Sequence, residues 1–219
     1  MAVRPVFEVL DRSPYYAEFP VEFPWHAGFA VSQKQKNITE IHNAYHRFKP
    51  DRKLLEVSSK SMTREGTELS AFHLLIFVPS LKKSVPVECA FQAGKVFEHG
   101  GPYRDLLETS PKAAKKDERL RNSGKIIAFE FEGERFPTTP LTFFYDWLYM
   151  TALIQNPQKA DLLLDYQAFT DVEFNPGKSI SCQARTDAVF VSLHHLGLLD
   201  HITTKESYYE LITGAYHSL

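Results

Sequence analysis

A mainly helical α+β fold with a few short strands is what this sequence predicts, and three observations carry the prediction. Apolar residues recur three to four apart over stretches of helical length, as in SQKQKNITEIHNAYHRF, where Ile38, Ile41, Tyr45 and Phe48 share one face. Strict alternation of apolar and polar residues, the mark of a strand, is confined to short pieces such as KIIAFEFEGERF. Hydrophobic residues make up 43 % and charged residues 24 %, the balance of a chain that packs a core and stays in solution. At 219 residues the core fits one domain, allowing residues 1–50 as an N-terminal extension of it.

Taken in order, VFEVL and PVEFPW alternate between prolines, which predicts short strands or extended arms. The SQKQKNITEIHNAYHRF helix is closed by Pro50. LLEVSSK predicts a strand entering a polar turn, and AFHLLIFVP an extended segment whose continuous apolar run implies burial on both faces. VPVECAFQAGKVFEHGGPY, from Val85 to Tyr103, reads as one amphipathic helix stopping at Gly100-Gly101-Pro102, because glycine tolerates a left-handed cap and proline cannot continue the ladder. SPKAAKKDERLRNSG has a serine cap, a proline in the first turn and a glycine stop, so it predicts a single surface helix. KIIAFEFEGERF is a strand whose EGE turn leads to a short partner. TPLTFFYDWLYMTALIQ and NPQKADLLLDYQAF predict two helices, FNPGKSISCQ a loop, and the apolar stretch from Ala188 to Leu199 a last helix.

Formal net charge is −2, so the chain is no polycation, and any contact with nucleic acid must be local. Its 17 Phe and 10 Tyr serve the core first and stacking surfaces second. Cys89 and Cys182 lie far apart without metal-ligand neighbours, which fits reduced thiols and a cytoplasmic location. MAVRPVFEVLDRSPYY lacks the apolar core of a signal peptide, and no run approaches the roughly 18 apolar residues that cross a bilayer, so no membrane association is expected. The adjacent His194 and His195 point to opposite sides of a helix. There is no HExxH, no paired metal spacing and no GxSxG, which argues against a metalloenzyme or serine hydrolase, and no cofactor is expected.

Four groups of residues could carry chemistry. On a helical wheel Glu88, Gln92 and Lys95 fall within roughly 60° of one another, between Phe91 on one side and Cys89 and Val96 on the other. A carboxylate in an apolar wall has a raised pKa and a nearby amine favours its charged form, so such a pair can be tuned for acid or base work; a solvated stripe is the ordinary alternative. Ser58, Ser59 and Lys60, with Ser70, Ala71 and Phe72, put hydroxyls and an ammonium on turns able to hold phosphate, although no glycine-rich cradle is present. Lys112, Lys115, Lys116, Arg119, Arg121 and Lys125 face only Asp117 and Glu118 in one run, a local basic patch suited to several phosphates. Asp171 and Glu173 before a Gly-Pro loop, and Gln183 and Arg185 after it, could bind a ribose and a pyrophosphate.

These motifs, in this order, resemble the NADAR family, named for NAD and ADP-ribose, whose hallmark is a Glu-x-x-Phe-Gln-Ala-x-Lys-Phe helix. Here it stands as Glu88-Cys-Ala-Phe91-Gln92-Ala93-Gly94-Lys95-Val96-Phe97, with one extra residue before the final aromatic. The family's Leu-Ser-Asn-Phe looks like Leu69-Ser70-Ala71-Phe72, with alanine in place of asparagine, and its Ser-Pro…Ala-Lys helix like Ser110-Pro111 through Ala114-Lys115. Its closing Gly-x-Asn-x-Leu-Gly segment is matched loosely by Cys182-Gln183-Ala184-Arg185. More closely, SQKQKNI, LEVSSKS, LSAF, VECAFQAGKVFEHGGPYRDL, AKKDERL and FYDWLY look like the NADAR antitoxins paired with DNA ADP-ribosyltransferase toxins of the DarT kind.

The resemblance implies an N-glycosidase that removes ADP-ribose from guanine bases, with ADP-ribosylated DNA as substrate, ADP-ribose as product and a cognate DarT-type toxin as partner. On that expectation Glu88 positions water or shuttles a proton. Lys95, or second Lys60, protonates the leaving guanine amine or attacks the anomeric carbon by way of an imine. Ser59, Ser70, Phe72, Phe91, Gln92, Asp171, Glu173, Gln183 and Arg185 would line the substrate, and Trp147 or Tyr149 would offer a flat partner to an extruded guanine. Lys112, Lys115, Lys116, Arg119 and Arg121 would hold the DNA strand. Two alternatives stay open: an N-glycosidase acting on riboflavin-pathway intermediates, and a non-catalytic binder of ADP-ribosylated DNA or of the toxin.

Overall fold

The computed structural model describes residues 1–177 and 181–214; Lys178, Ser179 and Ile180 of the expected FNPGKSISCQ loop lie outside the described residues. The chain forms two compact units, one of Met1–Ser70 with the chain from Gln158 on, the other of Ala71–Pro157. Both mix helices with short strands, and the mainly helical α+β class holds.

In the first unit the expected arms are strands β1 (Ala2–Val9) and β2 (Tyr16–Phe23), paired antiparallel from Ala2 opposite Phe23 to Val9 opposite Tyr16. Pro5 and Pro20 face each other in that ladder, clear of Phe7 and Glu8, where β1 is bonded on its other side as well. Neither proline therefore interrupts a doubly bonded stretch. Val6, Val21 and Phe23 turn inward against Ile41, Ala44 and Tyr45 of α1 (Val31–His46), the helix predicted from their spacing. Phe48 does not share that burial: α1 ends at His46, and the Phe48 side chain is 68 % exposed. Next come β3 (Leu54–Glu56) and the short α2 (Arg64–Glu68), whose Gly66 N–H donates to the Thr63 hydroxyl at 3.2 Å. A Cβ on Gly66 would stand 2.1 Å from the Glu56 carbonyl oxygen, so glycine alone permits this approach.

The second unit begins with a hairpin of β4 (Leu75–Val78) and β5 (Lys83–Pro86). Burial on both faces was expected for β4, but Ile76 and Val78 are buried while Leu75 and Phe77 are exposed, because this two-stranded ribbon is covered on one side. β5 passes straight into α3 (Val87–Ala93), which stops far short of the expected Gly100. Gly94 explains the stop. A Cβ there would lie 2.6 Å from Cζ of Phe144 and 2.7 Å from the Glu130 carbonyl oxygen, and the Gly94 carbonyl accepts from the Glu130 N–H at 2.7 Å. The next residues form β6 (Lys95–Phe97), antiparallel to β7 (Ile126–Phe131).

The basic segment between them holds α4 (Pro111–Lys116), capped by Ser110, and α5 (Arg119–Asn122) instead of one helix. Asp117 breaks it: its backbone leaves helical geometry, and Oδ1 accepts from both N–H and Nε of Arg119 at 2.9 Å. The EGE turn behaves as expected, with positive φ at Glu132 (51°) and Gly133 (82°) returning β7 to β8 (Glu134–Phe136). The predicted helix α6 (Phe143–Gln155) completes an aromatic core, its Phe144 stacked on Phe129 at 4.9 Å between centroids.

The helix expected over NPQKADLLLDYQAF is reduced to one turn, α7 (Pro157–Ala160), followed by a 3₁₀ segment over Asp161–Asp165. Ala168–Thr170 is strand β9, buried throughout, antiparallel to β1 and parallel to β3, which gives the first unit's sheet the order β2-β1-β9-β3. Tertiary pairing on two edges outweighs the helical spacing of that tail. The last expected helix is α8 (Gln183–His195), beginning before Ala188 and ending before Leu199. A further helix, α9 (Lys205–Thr213), carries a capping box at Thr204 and Ser207 and a left-handed Gly214. Among the described residues no helix is long and apolar enough to cross a membrane.

Candidate active site

The hallmark residues of the second unit form one hydrogen-bonded chain. Glu88 lies in the first turn of α3, buried, with its own N–H donating to the Ala71 carbonyl at 2.9 Å. One turn on, Gln92 donates Nε2 to Glu88 Oε1 at 2.8 Å, and its Oε1 accepts from Lys95 Nζ at 2.6 Å. The amide gives to the carboxylate through its NH₂ and takes from the ammonium through its oxygen, and these two partners together fix its orientation. Lys95 reaches this chain from β6 rather than from the helix, because the close approach at Gly94 redirects the backbone.

One aromatic ring covers the amine. Lys95 Nζ lies 4.5 Å from the Phe91 ring centroid, and Phe91 is itself packed against Phe129, Phe144 and Tyr145. Burial pushes the Lys95 pKa down to about 8; Glu88 works against that shift and Lys115 adds to it. A pKa near 8 leaves roughly a tenth of the amine neutral at pH 7. Lys115, in the last turn of α4, places Nζ 3.6 Å from Glu88 Oε1 and 5.4 Å from the Phe72 ring. The acid is thus served by two cations and an amide, in a setting suited to moving a proton. Beside it, Cys89 donates its thiol to the Thr109 carbonyl, and burial pushes its pKa up to about 11.

The first unit holds a different cluster, which the sequence reading missed. Glu56, at the end of β3, is buried and accepts from Thr170 Oγ1 at 2.7 Å and from the Val172 N–H at 2.9 Å. Burial, and then the like charge of Asp171, push its carboxyl up to about 8 against the hydrogen bonds it receives. Thr170 Oγ1 is also 3.1 Å from His42 Nε2, and burial holds His42 down at about 4, so that imidazole is neutral. The signal was a glutamate between Leu55 and Val57 in a strand: an acid at a position where both neighbours are apolar and all three are buried.

The expected site residues therefore divide. Glu88, Phe91, Gln92, Lys95, Phe72 and Lys115 are brought together in the second unit. Ser59, Lys60, Ser70, Asp171, Glu173, Gln183 and Arg185 belong to the first. There Lys60 Nζ donates to Ser59 Oγ at 3.1 Å, Ser70 donates to the Thr67 carbonyl at 2.7 Å, Gln183 donates to the Val57 carbonyl, and Glu173 is ion-paired with Lys34 at 3.2 Å. Arg185 is half-buried near the start of α8. Trp147 is half-buried and packs on Phe136 at 4.9 Å and Phe131 at 6.1 Å, whereas Tyr149 is fully buried in the core, with no face open to a base. Of the basic run, Lys112, Lys116 and Arg121 are exposed, whereas Arg119 is held by Asp105 and Asp117 and lies over the Tyr103 ring. Among the described residues no cluster of His, Cys, Asp and Glu could hold a metal ion.

A family model described as "DarT1-associated NADAR antitoxin" matches residues 2–218. A search of curated proteins finds no match to the chain.

Proposed function

The chain belongs to the DarT1-associated NADAR antitoxin family, and on that premise we propose that it is an N-glycosidase releasing ADP-ribose from guanine bases in DNA, reversing the modification made by its toxin. The observation that carries this reading is the Glu88–Gln92–Lys95 chain, buried at Glu88 and Gln92 and half-buried at Lys95, in which an acid is tied through one amide to an amine of lowered pKa.

The bond to be broken joins the anomeric carbon of the distal ribose to the guanine amine. Its electron pair leaves with the nitrogen, which takes a proton, and positive charge develops on the sugar as an oxocarbenium-like state. Glu88 takes a proton from the water that adds to the anomeric carbon. Lys95 has two routes: as an ammonium it protonates the departing amine, and as a neutral amine it attacks the anomeric carbon, giving an imine of the opened sugar that water later hydrolyses. Gln92 holds both groups at fixed spacing in either case, and Lys115 lies 3.6 Å from Glu88 as its ion-pair partner.

Incubation with an oligonucleotide carrying ADP-ribosyl-guanine tests the proposal. Free ADP-ribose and restored guanine are expected, with Glu88→Gln and Lys95→Ala each cutting the rate by about 10²–10⁴-fold while the melting temperature is kept. A retarded but intact complex means binding alone, and full activity in both variants removes these assignments. Borohydride present during turnover traps protein-bound sugar on the imine route and nothing on the acid route.

A further inference from the structure

The turn that follows α1 gathers a second set of groups suited to nucleic acid. Residues 47–53, RFKPDRK, set Arg47, Lys49, Arg52 and Lys53 against the single acid Asp51, on a chain whose net charge is −2. Phe48 stands among them with 68 % of its surface exposed. One flank of its ring is braced by Phe19, at 5.8 Å between centroids, while the rest faces water. The turn is fastened at both ends. Phe48 and Lys49 donate their N–H groups to the Tyr45 carbonyl, His46 Nε2 lies 3.0 Å from the Arg52 carbonyl oxygen, and Lys53 donates its N–H to Gln167 Oε1 at 2.9 Å. Phe48, Lys49, Arg52 and Gln167 line a shallow depression of ≈ 510 Å³.

The basic run of the second unit, although longer, turns two of its cations to internal acids: Arg119 to Asp105 and Asp117, and Lys115 to Glu88. Among the described residues, Arg47, Lys49, Arg52 and Lys53 are in no ion pair. Cations outside ion pairs attract a phosphate backbone whatever its sequence. An exposed ring beside them stacks on any base with a free face, which a strand offers and a duplex does not.

We propose that this turn is a docking surface for single-stranded DNA, with a base on Phe48 and phosphates on Arg47, Lys49, Arg52 and Lys53. The inference rests on DNA being the partner, yet its test needs neither ADP-ribose nor hydrolysis, so its failure leaves the glycosidase reading standing. Fluorescence anisotropy of the full chain with labelled, unmodified oligothymidylate over a salt series reads it. Phe48→Ala weakens binding about tenfold with the salt dependence unchanged. Arg52→Ala and Lys53→Ala each flatten the slope of log K against log salt by about 0.7. All three residues are exposed, so melting temperatures stay put. No binding of the strand, native affinity in Phe48→Ala, or duplex bound as tightly as strand overturns the proposal. Tighter binding of oligouridylate than of oligothymidylate overturns the assignment to DNA.

Discussion

Each of the two units buries a glutamate, and the surroundings of the two acids are opposite. Glu88 has an amide and two ammonium groups within reach, Lys95 through Gln92 and Lys115 at 3.6 Å. Glu56 has hydroxyl and amide donors and the like charge of Asp171, and it is pushed toward its neutral form. Burial alone therefore does not assign a role. Glu56, pushed toward its neutral form, bonds to Thr170 and Val172 and so ties β3 to the chain at β9, whereas Glu88 is tied through Gln92 to Lys95 and lies beside Lys115. The chemistry proposed above rests on the cations around Glu88, and the bonds that Glu56 makes join it to the strand beside it.

The sharpest way to break that division is to remove one lysine from each unit. Lys95→Ala is expected to lower ADP-ribose release by about 10²–10⁴-fold and Lys60→Ala by less than about tenfold; the reverse ranking would move the amine to the first unit. Next in size is Gly94→Ala. The added methyl meets Phe144 and the Glu130 carbonyl, so a loss of about 1–3 kcal/mol is expected in urea unfolding, with activity falling further than stability because Lys95 is displaced.

A third test addresses Glu56 through pH. Its folded pKa is raised from 4.5 to about 8, so between these values the native state binds more protons than the unfolded one, and stability falls as pH rises through that window. Glu56→Gln mimics the neutral form, and the melting temperature of that variant should lose this slope between pH 5 and pH 8 (about the window named above). The smallest effect is expected at Lys115: its side chain is half in solvent, so Lys115→Ala should slow release by a fewfold, more at low salt than at high.

Much of this was legible in the sequence, and what was not has identifiable causes. Alternation found the arms β1 and β2, the EGE turn found the β7–β8 hairpin, three-to-four spacing found α1, and the helix expected over TPLTFFYDWLYMTALIQ is α6. The wheel of Glu88, Gln92 and Lys95 grouped three residues that are hydrogen-bonded together, but through the wrong geometry, since Lys95 is a strand residue. Its apolar neighbours Val96 and Phe97 fit either period over so short a run, and only the space around Gly94 decides between them. β9 escaped because its partners β1 and β3 are distant in the chain, and periodicity sees local order alone. Lys115 looked like one more surface cation; its tie to Glu88 spans two helices and leaves no pattern in the sequence.

The thiol beside Glu88 has a consequence of its own. Oxidants and alkylating agents attack thiolates, and burial, with the charge of Glu88 beside it, pushes the Cys89 thiol up to about 11, as burial pushes Cys182 up in the first unit. A protonated thiol is a poor target for peroxide, so an alkylating probe is expected to leave Cys89 unlabelled in the folded chain, as mass spectrometry after a short exposure would read.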